Sequence, residues 1–186
     1  MKKTVLLLLI IFTSVNSFSQ KKKKATAKKS SSIFLTGVGN VSAEVSKKDF
    51  FLCINKKDTI NIRPANFDVM PMNCKIMPFT TKNTSLHLIT WTEIITTTEP
   101  KKVTVATTYF SKIYNIATKT EVGANTQIIT KITEQVQLGK TAASETQEKT
   151  RTEGSELVLL TTGDIVLKSK KGEKKYSYDT VSKQFK

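Results

Sequence analysis

The sequence predicts an all-β chain: one antiparallel domain, arranged as a β-sandwich, a small barrel or a curled sheet of about nine or ten strands, behind a cleaved signal peptide and a basic arm. Three observations predict it. β-Branched and aromatic residues alternate with period two over long stretches. Threonine is abundant, and its branched Cβ suits a pleated surface better than a helix. Turn residues recur between the alternating runs at hairpin spacing. With 186 residues, 38% of them hydrophobic and nine of them Phe, the chain is too apolar for a disordered polymer and long enough to bury a core.

The elements follow in chain order. Lys2 and Lys3 precede an apolar run from Val5 to Phe12, and Ser17 and Ser19 stand three and one positions before Gln20. That layout is a secretory signal peptide over residues 1–19. A membrane-anchoring helix needs about 20 apolar residues, and this run first meets Ser14, Asn16 and a lysine block. Gln20 stands where a lipid anchor would need cysteine. The expected product is exported without a transmembrane segment, to the periplasm first and to full secretion second.

Residues 20–32 read as a solvated arm carrying Lys21, Lys22, Lys23, Lys24, Lys28 and Lys29 among alanines and serines. No acidic residue precedes Ser30, so much of the formal charge of +15 sits in this end of the sequence. Such an arm suits an anionic envelope surface, at about 1 kcal/mol per lysine near anionic lipid, or serves as a solubilising linker. No aromatic is interleaved with the lysines, which argues against nucleic acid.

Residues 33–186 form the expected β domain. Thr84 to Thr98, holding Leu86, Leu88, Ile94 and Ile95, is one long run. In the next, Val103, Val105, Thr107, Tyr109, Ser111 and Ile113 share a face, while Phe110 and Tyr114 make the other face partly apolar. That strand is expected to be covered on both sides. Ile128, Thr130, Ile132, Glu134, Val136 and Leu138 repeat the pattern. Turns are expected at 37–40, 55–58, 99–101, 123–125, 153–155, 163–164 and 171–173. Residues 141–151 fit a polar loop, a short helix or a solvent-facing strand. Parallel strands would need long crossovers, and no crossover helix is visible, so the sheet is expected to be antiparallel. An outer-membrane barrel would fit the length, but the aromatics form no girdles, and threonine and lysine interrupt each lipid-facing run.

The densest chemistry lies between Pro64 and Pro78. Met70, Met72 and Cys74 alternate, so an extended segment would point them to one side. With Met77 and His87, the sole histidine, they form a soft-donor set suited to Cu(I). The plainer alternative is that flexible thioethers fill an irregular edge of the core. Cys53 and Cys74 are the only cysteines, and in an oxidising compartment they invite a disulfide worth about 3 kcal/mol, which would exclude copper. If reduced, Cys53 within Phe50 to Ile54 is a small buried hydrophobe. No phosphate-binding glycine loop, nucleophile elbow or histidine pair is present, and no residue is nominated as catalytic. Asp58-Thr59-Ile60 and Asp179-Thr180-Val181 resemble the Asp-Thr-aliphatic acceptor sites of bacterial O-glycosylation. The resulting expectation is an exported, non-catalytic β-domain with a binding or structural role in the bacterial envelope, engaging an anionic surface or another envelope protein. A periplasmic Cu(I)-binding protein is the alternative, and an enzyme comes third.

Overall fold

Alternation builds the first sheet. β1 (Ile33–Val38), β2 (Val41–Val45), β3 (Phe50–Ile54) and β4 (Asp58–Arg63) form a four-stranded meander in the computed structural model, which describes residues 32–46, 49–63, 69–139 and 144–186. Val41, Ala43, Val45, Phe50, Leu52, Ile54, Ile60 and Ile62 all point to one side and are buried. A second sheet of five strands follows: β5 (Met72–Thr81), β6 (Thr84–Glu99), β7 (Lys102–Asn115), β8 (Thr120–Gln137) and β9 (Ser144–Gly154), paired in chain order. The last residues make a three-stranded sheet of β10 (Glu156–Leu159), β11 (Ile165–Ser169) and β12 (Gly172–Tyr176), and a two-stranded ribbon of β13 (Tyr178–Asp179) and β14 (Gln184–Phe185). Every pairing is antiparallel, and no sheet of the described residues closes into a barrel.

The five-stranded sheet is the middle layer, and its two faces hold separate cores. On one face Ile89, Trp91, Ile76 and Tyr114 pack with the buried side of β1–β4. Trp91 meets Phe50 edge-on at 5.1 Å and stacks on Phe110 at 4.8 Å, two favourable aromatic geometries. On the other face Leu86, Leu88, Ile113 and Val122 pack with Ile165 and Tyr178 from the C-terminal strands. The expectation that β7 is covered on both sides therefore holds for its C-terminal part, where Ile113 and Tyr114 enter opposite cores.

Neither core reaches the far ends of these strands. All residues of β6 from Ile94 to Glu99 are exposed, as are most side chains of β9. From the cross-strand row Ile94, Thr107, Ile129 and Thr152 outward, the sheet continues as a single layer.

Two sequence expectations change, and one left open is settled. Among the described residues fourteen strands replace about nine or ten, because residues 156–185 break into five short ones. The turn expected at 123–125 lies inside β8, where Gly123 pairs with Ile113 and Asn125 with Ser111. The chain turns at residues 116–119 instead, where Asn115 Oδ1 accepts the Thr118 N–H at 3.2 Å and Lys119 adopts φ 56°. Of residues 141–151, those from Ser144 form a solvent-facing strand. The signal peptide and the lysines of the arm up to Lys29 lie outside the described residues. Among the described residues no helix is long and apolar enough to cross a membrane.

Candidate functional site

Between the second core and the single-layer extension, the middle sheet carries a groove of about 720 Å³. Register builds it. Lys75, Thr90, Ser111 and Asn125 face each other in one row across β5, β6, β7 and β8. Thr92, Tyr109 and Gln127 form the next row, which ends at Gly154 on β9. Opposed residues share a face, so these rows lie side by side as a polar floor crossing the strands. Leu88 and Ile113 bound it on the core side and Ile129 on the outer side.

A corner of the chain supplies one wall. After Gly154, at φ 77°, the backbone leaves β9 and returns as β10 over the same face, bringing Ser155, Glu156 and Leu157 to the groove. Only glycine fits there, since a Cβ would stand 2.3 Å from the Thr126 carbonyl oxygen. Asn125 pins the corner from both ends of its amide: Nδ2 donates to the Ser155 carbonyl at 2.7 Å, and Oδ1 accepts from Ser155 Oγ at 2.9 Å. At the β5 end Asn73, at φ 51°, donates from Nδ2 to Thr92 Oγ1 at 3.2 Å. Lys75, Thr90, Tyr109, Ser111, Gln127 and Glu156 make no side-chain hydrogen bond or ion pair among the described residues, so their polar atoms face the groove or solvent. Among the described residues its charged groups are Lys75, on β5, and Glu156, at the start of β10.

The opposite face holds a structural polar cluster. Glu93, buried, accepts the Trp91 Nε1–H at 3.0 Å and pairs with Arg63, whose guanidinium lies 6.0 Å from the Phe110 ring centre. Glu121 accepts from Lys112 Nζ at 2.9 Å and from the Tyr114 hydroxyl at 3.1 Å. Burial, then the neighbouring Glu121 charge, raises the Tyr114 pKa.

The residues nominated from sequence are not gathered into one place. A bulge between Met72 and Lys75, with Asn73 at positive φ, breaks the alternation. Met72 then faces the groove side opposite Thr92, whereas Cys74 packs against the core shared with β1–β4. Met70 and Met77 are exposed, and Met77 opposes Leu88. His87 sits between Pro78 and Tyr114 with Nδ1 buried and unpartnered, and burial lowers its pKa. No group of three His, Cys, Asp or Glu side chains that could hold a metal exists among the described residues.

The disulfide is corrected. Both cysteines are free thiols. In β3 the residues Phe50, Leu52 and Ile54 point inward, so Cys53 projects from the outer side of the first sheet, while Cys74 points into the core beneath its inner side. Burial pushes the Cys74 pKa up to about 11, which keeps it a protonated thiol at neutral pH. Thr59 lies exposed on β4 and Thr180 exposed in the turn between β13 and β14.

The groove residues were not singled out in the sequence. Their only sequence signal is that apolar residues lapse on one face of each long run: Thr90 and Thr92 follow Leu86 and Leu88, Tyr109 and Ser111 precede Ile113, and Asn125 and Gln127 precede Ile129. Register alone makes those lapses adjacent. Compared with known proteins, the chain matches no family model, no curated protein and no solved structure.

Proposed function

We propose that this chain is an exported, non-catalytic β-domain with a binding role in the bacterial envelope, and that its partner is held in the groove across the middle sheet. One observation carries this reading: a concave polar floor on which the side chains of Lys75, Thr90, Tyr109, Ser111 and Gln127 have no hydrogen-bond or ion-pair partner among the described residues. Among the described residues the groove's charged groups are Lys75 on β5 and Glu156 on β10, which form no ion pair with each other. Export rests on the signal layout of residues 1–19, with the periplasm as the first address and secretion as the second.

Retention on the isolated cell envelope of the source organism tests the reading. Purified residues 20–186 are expected to sediment with that fraction, and Tyr109→Ala combined with Gln127→Ala is expected to reduce the retained amount about tenfold. Equal retention of the two proteins, each with an unchanged melting curve, would place binding elsewhere.

A further inference from the structure

We infer that the ligand of this groove is a linear, uncharged glycan. The inference rests on the reading of the groove as a binding site and adds the class of its occupant. Four features support it, and the first is shape. Lining residues come from all five strands, from Lys75 on the β5 edge to Thr152 on the β9 edge. The trench therefore crosses the whole sheet, about 19 Å at the usual strand spacing. The second row ends at Gly154, where the corner into β10 brings Ser155, Glu156 and Leu157 alongside the trench. A trench that spans five strands suits an elongated ligand rather than a compact one.

The second feature is the kind of hydrogen bonding on offer. Thr90, Tyr109 and Ser111 present hydroxyls, and Gln127 presents a carboxamide. Each of these groups both donates and accepts. A sugar hydroxyl has the same dual character, and a row of such groups matches a row of ring hydroxyls without leaving a donor or acceptor unmatched. The third is Tyr109, whose ring is 41% exposed in the centre of the floor. An exposed ring there offers a flat apolar surface to the C–H face of a sugar while its hydroxyl stays available.

The fourth is charge. The whole chain carries a formal +15, yet the groove holds one lysine and one glutamate and so has no net charge. A polyanion would meet no cationic track along this floor. An extended peptide is also disfavoured. Peptides that bind sheets do so by pairing with an edge strand, whereas this groove crosses the sheet face, where the backbone donors and acceptors already form the ladders between β5 and β9.

The test is titration calorimetry of residues 20–186 with soluble hexasaccharides of glucose, xylose, mannose and N-acetylglucosamine, with alginate as the polyanionic probe and a random decapeptide pool as the peptide probe. At least one neutral hexasaccharide is expected to bind, with affinity changing less than about twofold between 0.05 and 0.5 M salt. Tyr109→Ala and Gln127→Ala are each expected to weaken it about tenfold, and Tyr109→Phe by less, since the ring remains. Both positions are at least partly exposed, and unchanged melting curves confirm that the variants fold. Absence of neutral-glycan binding overturns the inference, as does binding that survives both alanine variants or collapses with salt. Binding of the peptide pool alone, lost in the same variants, overturns the glycan while keeping the groove. Loss of envelope retention in those variants without any glycan binding separates a wrong ligand class from a wrong site.

Discussion

Glu93 is an ordinary polar residue in the sequence, inside a run of threonines and isoleucines, and nothing in its neighbourhood names a partner thirty positions away. Once β4 lies over β6, it becomes a buried acceptor shared by the Trp91 indole and the Arg63 guanidinium. Glu93→Ala removes both bonds and is expected to cost about 2 to 4 kcal/mol in urea unfolding. Glu93→Gln keeps an oxygen for Trp91 and is expected to cost less; equal losses would show that the charge, not the hydrogen bond, matters. Cys74 makes a second residue-scale prediction. Its folded pKa, about 11, lies above the ordinary thiol value of 9.0, so its contribution to stability is full below pH 9 and is lost as pH rises towards 11. The melting temperature is therefore expected to fall over that window, and Cys74→Ala is expected to flatten part of the fall. Tyr114, also raised, acts in the same direction. The sulfur cluster was visible in the sequence as spacing, but its geometry was not, because one bulge at Asn73 reverses which face each side chain takes.

At the scale of elements, the three long alternating runs are β6, β7 and the second half of β8, and their period of two assigned side chains to faces correctly. Turn chemistry was a weaker guide, since Gly123 looked like a turn and pairs within a strand. Glycines can be ranked instead by what a side chain would meet. Gly154→Ala is expected to cost about 2 to 4 kcal/mol, because the new Cβ collides with the Thr126 carbonyl as well as straining φ. Gly139, at φ 66° with nothing within 4 Å, bears only the conformational strain, and Gly139→Ala is expected to cost about 1 kcal/mol. Chemical denaturation of the pair checks the ranking, and equal costs would refute it. Hydrogen exchange provides a further check on the elements. Amides of residues 94–99 and 131–137 are expected to open at lower free energy than those of 86–91 and 110–114, because their ladders are complete but no core lies against them.

At the scale of the molecule, both cores are built on the same strands, so neither face can lose its packing without disturbing the sheet that supports the other. A single cooperative transition is expected, with Trp91 fluorescence reporting the first core and the tyrosine circular-dichroism signal lost in Tyr178→Phe reporting the second. Transitions that separate would show that the cores fold independently. The all-β, antiparallel class was legible because it depends on local pattern and short connections. The three-layer arrangement was not, because it depends on which distant strands meet. Its one sequence sign was apolar character on both faces of β7, where Ile113 and Tyr114 enter different cores.

The uncovered ends of β6 to β9 have one more consequence. Both cores sit at the opposite end of those strands, so hairpin length there is set by pairing alone. Inserting two residues into each arm of the β6–β7 hairpin near Pro100 would preserve every facing pair and lengthen the blade by about 7 Å. Reach is thereby a quantity that descent can adjust in even steps while foldability stays constant, as a handle can be lengthened without recasting the tool.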